Sequence, residues 1–314
     1  MPTTVTHHLF TNDVYKNLKI EIKNSINEDL FNIFGKSFDI LFFTNSKIGF
    51  VAHNNKVKEY FYNLIKYIKD NDLTNNPEIL AFLYGTVCHY VLDSTIHPYV
   101  YYKSGRYYYD DKSTLKYRGK HAYVESMMDA AIYEQQKKTP IWKACLAKEV
   151  FSSNLKFSLE LENMINDVFV KTYNVNNVSY LFKNGYRNYR FLFKYGMVSR
   201  WGIKAFIYKI LDVFKVYKKG RLRNLCYYIK SVDNNVLNLD RNLWCYPADK
   251  NLSFHYSFFD LYDIAIEKAK NMITFISDNL DNADVNILLD KIGNNSYYTG
   301  LDVDEKYKMK YFEY

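Results

Sequence analysis

The stretch from Cys88 to Pro98, CHYVLDSTIHP, sets His89, Asp93 and His97 at successive steps of four inside an otherwise largely apolar run. In a helix such steps rotate by only ~40° and rise by ~6 Å, so imidazole, carboxylate and imidazole share one face. His121, Glu125 and Asp129 repeat the pattern in a second segment. Imidazoles and carboxylates without thiolate suit zinc, with manganese or iron less favoured. A lone His or Asp on a helix is far more often hydrogen-bonded scaffolding than a ligand. Two separate His-carboxylate pairs shift that balance. Phe82, Val87, Val91 and Leu92 make the first segment apolar around much of its surface, where unpaired charge is costly.

The ends of the first trio lie ~12 Å apart along the axis, too far for both imidazoles to meet one ion at ~2 Å per bond. Two ions fit better than one. Asp93 can then join His89 on one ion or bridge to another, while His97 reaches a different ion with His121 and Glu125.

Helices must position these groups. Helical periodicity runs through nearly every long segment, and no alternating run argues for a large sheet, so an all-α, multi-helix fold is expected. Asn76 followed by Pro77 marks a helix start, and Pro98 predicts its end near His97. Further helices are expected at 12–34, 56–69, 120–136, 150–173, within 186–217 and at 257–279, and 101–119 reads as a long loop. Five Pro and eleven Gly leave no evident linker or repeat. One helical domain over 1–314 is therefore expected, with metal-site helices in 1–136 and a basic aromatic layer around 180–223.

At these residues the chain resembles the zinc-dependent phospholipase C family, which is all-helical and related to the single-strand-specific zinc nucleases. The matching pieces, in order, are MPTTVTHHLF, FGKSFDILFF, His53, GTVCHYVLDSTIHPYV and HAYVESMMD, with a looser likeness in NLWCYPADKNLSFHYSFFDLYDIA. The resemblance implies that His53, His89, Asp93 and Asp39 hold one zinc and that His97, His121 and Glu125 hold a second. Asp93 would bridge to a third ion also held by His7. It further implies that Asp39 acts as general base on a metal-held water attacking phosphorus, in a phospholipid or another phosphodiester. Secreted members use an N-terminal Trp as a ligand where this chain has Met1 and Pro2, and they have five residues where three separate Asp93 from His97. A nuclease or nucleotidase with the same metals, and a non-catalytic, metal-stabilised helical binding protein at membranes, are the alternatives.

The net charge of +8 is concentrated, since Lys183 to Arg223 holds twelve Lys and Arg against Asp212 alone. Lys183, Arg187, Arg190 and Lys194 follow helical spacing, and Trp201, Phe206 and Tyr208 add apolar bulk. Such a stretch suits an anionic membrane surface, or less readily nucleic acid. A solvated basic face over an aromatic core is the more common meaning. No obligate protein partner is inferred. The four cysteines lack paired spacing, and neither a signal-like segment nor ~18 uninterrupted apolar residues is found, so a cytoplasmic location is expected, with peripheral membrane contact open.

Overall fold

The computed structural model describes residues 4–152, 155–199, 201–218, 220–305 and 307–313. Its α-helices are α1 (Thr4–Asn17), α2 (Ile20–Ser25), α3 (Glu28–Phe34), α4 (Ser46–Asn54), α5 (Val57–Asp70), α6 (Pro77–Ser104), α7 (Lys120–Lys137), α8 (Leu146–Glu149), α9 (Leu159–Tyr173), α10 (Val178–Leu192), α11 (Ile203–Val213), α12 (Asn234–Leu237), α13 (Phe258–Asn279) and α14 (Val285–Ile292). The one sheet among the described residues is a hairpin of β1 (Trp244–Tyr246) and β2 (Asp249–Phe254), antiparallel with Trp244 opposite Phe254. The fold is therefore all-α in substance. Buried apolar side chains form one connected core from Val5 to Tyr297.

The centre of that core is α6. Asn76 caps it by accepting the Glu78 and Ile79 amides, and Pro77 opens its first turn, where the absent N–H costs nothing. It is flanked by α3 and α13, while α1 and α7 pack against each other and against α6. This helix is long and apolar enough to cross a membrane, yet 94% of its most apolar window is buried within the protein. It also passes Pro98 and continues to Ser104, seven residues beyond the expected end. A helix-interior proline costs about 3 kcal/mol. Burial of Tyr99 and Val100, with the Tyr99 hydroxyl on the Val236 carbonyl, offsets that cost.

Other boundaries also moved. The helix expected at 12–34 is three helices, because Lys19 and Ile26 are extended and Asn27 caps α3 by accepting the Leu30 amide. The one expected at 150–173 begins at Leu159, where Ser158 accepts the Leu161 amide and donates its own to Glu78. The start of the expected loop at 101–119 belongs to α6, and Lys112–Tyr117 forms a 3₁₀ turn. Within 186–217, α10 and α11 are separated by a π-helical turn at Phe193–Met197 and by Gly202 with a left-handed φ of 75°.

Gly300 closes the C-terminal loop onto the proline of α6. It has φ 67°, and a Cβ there would lie 2.5 Å from the Ser94 carbonyl oxygen and 2.9 Å from Pro98. Gly300→Ala is expected to destabilise the protein by about 1–3 kcal/mol, measured by urea denaturation.

Candidate metal centre

Five segments converge on one buried cluster. α1 supplies His7, the 3₁₀ segment Ser37–Phe43 supplies Asp39, and α4 supplies His53; α6 supplies His89, Asp93 and His97, and α7 supplies His121 and Glu125. All eight residues expected as metal ligands are brought together. They form three groups, His7–His89–Asp93, Asp39–His53–His89 and His97–His121–Glu125, each with one donor atom per residue within 4.8 Å of the others.

Asp93 sits in the middle. Its oxygens lie 3.1 Å from His7 Nε2, 3.6 Å from His89 Nε2, 3.6 Å from His97 Nδ1 and 3.8 Å from His53 Nε2. The three-residue spacing to His97 turns that ring's other nitrogen away. His97 Nε2 is 3.4 Å from Glu125, whose same oxygen is 2.9 Å from His121 Nε2. Asp39 lies 3.3 Å from His53 Nε2 and 3.8 Å from His7 Nε2.

The donors fit a metal. His53 donates through Nδ1 to the Gly49 carbonyl at 2.6 Å, and His97 through Nδ1 to the Tyr297 carbonyl at 2.7 Å. Each Nε2 is then turned into the cluster, where it offers a lone pair once it carries no proton, the orientation that outer hydrogen bonds impose on metal-binding imidazoles. The Nε2 atoms of His53 and His89 stand only 3.1 Å apart. Both ring nitrogens of His7, Nδ1 of His89 and Oδ2 of Asp93 are buried without a hydrogen bond. Inward lone pairs crowded this closely are stabilised by a shared cation or by protons.

Charge follows the same logic. Burial alone would raise Asp93, but His97, His89 and His7 hold it well below the usual carboxylate range. Glu125 is likewise pulled well down against burial by His121 and His97, and Asp39 is lowered against burial by His53 and His89. Among the imidazoles, burial drives His89 down to about 3 against the pull of Asp93 and Asp39, and it lowers His121 against Glu125. Burial is outweighed at His97, which Asp93 and Glu125 raise to about 9, and at His7, which Asp93 and Asp39 raise. Cys88 is no competitor as a ligand, since burial pushes its thiol well up.

Several other residues support the cluster from outside it. Asp129, third in the second sequence trio, joins none of the three groups. Its carboxylate accepts the Val5 amide at 3.3 Å, the Thr6 amide and hydroxyl at 2.7 Å each, and the Tyr227 hydroxyl. It caps α1 from another helix and so fixes His7. Asp129→Ala is expected to cost about 2–4 kcal/mol in denaturation and to lower metal content at limiting zinc, with the His97 group spared. Gly185 of α10 lets the Asp39 segment pack closely, for a Cβ there would lie 2.3 Å from the Ile40 carbonyl oxygen. His8 points away, 3.1 Å from the Asn12 amide nitrogen, so His7 is the member of the pair in the cluster. Met1 and Pro2 lie outside the described residues.

The cluster opens through His121 into a cavity of about 430 Å³ lined also by Tyr101, Arg106, Arg221 and Tyr298. Tyr298 stacks on His53 at 5.7 Å, and Tyr101 lies 4.7 Å from the His121 ring. A larger cavity of about 670 Å³ shares Arg106 and Tyr298 but is lined by none of the eight residues.

A largely helical core carrying buried His and carboxylate groups that could hold metal ions has the architecture of the phospholipase C and zinc nuclease fold class. A model of the zinc-dependent phospholipase C family matches residues 6–176, more than half of the 314-residue chain, and the chain belongs to that family. No curated protein and no solved structure matches it.

Proposed function

We infer that this protein is a zinc-dependent phosphodiester hydrolase that cleaves phospholipids in the manner of a phospholipase C, with the basic aromatic stretch at 183–223 on the membrane side. The observation that carries this reading is the convergence of three metal-competent groups around Asp93, one of which meets, through His121, a cavity bearing Arg106 and Arg221. His7, His53, His89, His97, His121, Asp39, Asp93 and Glu125 would hold two or three zinc ions. Bound zinc would acidify a water and neutralise phosphate oxygens. The three carboxylates carry −3, so two divalent ions leave the site at +1 and three leave it at +3, a field that draws in a phosphodiester.

Asp39 is the general base. His53 and His89 keep it ionised in spite of burial, ready to accept the proton of the attacking water. The P–O bond to diacylglycerol breaks, the proton ends on the leaving oxygen, and a phosphomonoester remains. Arg106 and Arg221, which both line the cavity, would hold that anionic product and its parent.

Zinc-loaded protein offered short-chain phospholipids and single-stranded DNA tests the reading, with diacylglycerol and phosphomonoester as expected products. Asp39→Asn should lower turnover by about 10²–10⁴-fold. Cleavage of DNA alone would make the protein a nuclease, and bound zinc with no turnover of either would make it a binding protein.

A further inference from the structure

α11 is built inside out. Lys204, Tyr208 and Asp212, spaced by four, face the protein. Lys204 donates to the Val198 carbonyl and Tyr208 to the Gly196 carbonyl, both at 2.7 Å, and Asp212 accepts the Leu222 and Arg223 amides at 2.7 and 3.1 Å. Ile203, Phe206, Ile207, Ile210 and Val213 recur every three or four residues on the other side, and no residue of this helix is buried. Phe206 is 66% exposed and Val213 75%, while Trp201 and Phe214 at the two ends are 80% and 74% exposed. Phe191 and Leu192 at the end of α10, and Tyr195 in the π-helical turn that follows, add exposed apolar surface. An apolar ridge of this extent on a protein surface marks a contact with something apolar.

Charge selects the contact. The ridge lies in the segment holding twelve Lys and Arg, whose single acid, Asp212, is already committed to backbone amides. Beside it, Lys209 of α11 joins Lys120, Arg221 and Arg223 around a cavity of about 610 Å³ whose described lining has seven Lys and Arg and no Asp or Glu. Arg221 also lines the cavity that the metal cluster meets through His121. An apolar face ending in an exposed Trp and flanked by cations on flexible stems matches a surface that is apolar beneath and anionic above.

We propose that α11, with Trp201 and Phe214, docks into the boundary between headgroups and acyl chains of an anionic bilayer, turning the cationic cavity and, through Arg221, the metal centre toward lipid. The inference rests on the lipid reading of the site but is tested separately from it. The full chain is sedimented with vesicles of phosphatidylcholine alone and of phosphatidylcholine mixed with phosphatidylglycerol, while phosphomonoester release is assayed in the same samples. Binding to the mixed vesicles is expected to be at least about tenfold tighter than to the neutral ones, to weaken with salt, and to shift Trp201 emission to the blue. Phe206→Glu combined with Val213→Glu changes exposed positions only, so the melting temperature should hold while vesicle binding falls at least about tenfold. Equal binding to both vesicles, binding to neither, or a dimer that the double variant dissociates would each overturn the proposal. Vesicle binding without phosphomonoester release would support it and count against the hydrolase reading.

Discussion

Asp93→Asn is expected to abolish turnover more completely than loss of any one histidine, lowering kcat/KM by at least about 10³-fold, or ~4 kcal/mol of transition-state stabilisation. Each histidine serves one or two of the three groups, whereas Asp93 has an oxygen within 3.8 Å of four imidazoles, those of His7, His53, His89 and His97. The amide keeps the size and one acceptor oxygen but removes the charge that balances buried cations. Zinc content should therefore fall at the His7–His89–Asp93 group and weaken at Asp39–His53–His89, while His97–His121–Glu125 retains its ion. Metal analysis after gel filtration reads this directly. A variant that keeps the full wild-type zinc content would show that Asp93 is a hydrogen-bonding residue and not the shared ligand.

The legibility of this site in the sequence followed from how many of its residues lie on single helices. His89, Asp93 and His97, and separately His121 and Glu125, are brought into line by helical period alone, so spacing revealed them. His7, Asp39 and His53 arrive on three different segments, and no local pattern links them; only the family likeness pointed there. Tyr297, whose carbonyl orients His97 from 200 residues away, gave no signal at all. Asp129 matched the period and was drawn into a different task, because the open amides of α1 need an acceptor as much as a cation does.

The basic stretch also divided in a way composition could not show. Lys183 pairs with Glu162 at 2.7 Å on α10, whose apolar face is packed by Phe182, Tyr186 and Tyr189. That part is an ordinary solvated face. The exposed ridge belongs to α11, where period gives the stripe but not its direction. Only the inward hydrogen bonds of Lys204, Tyr208 and Asp212 turn the apolar side out.

Zinc binding at pH 7 is expected to release about one to two protons per chain, falling toward none above pH ~9. Asp93 and Glu125 raise His97 to about 9, so in the metal-free protein it is charged at neutral pH, and His7 is raised in the same sense. Both must shed a proton before a ring nitrogen can bind metal, whereas His89, driven down to about 3 by burial, has none to give. The raised His97 stabilises the metal-free fold fully below its unfolded value of 6.5, and that contribution disappears as pH rises through about 9. The zinc-loaded fold has the opposite slope, because protons compete with metal for the same lone pairs. Lys36, lowered by burial to about 7 against the pull of Asp39, adds stability with rising pH to the metal-free form. The melting temperature of zinc-loaded protein minus that of chelator-treated protein should therefore widen steadily from pH 6.5 to 9, and titration calorimetry in buffers of different ionisation enthalpy should count the released protons. A difference that stays flat across that range, with no proton release at pH 7, would mean that the raised imidazoles are not where the metal binds.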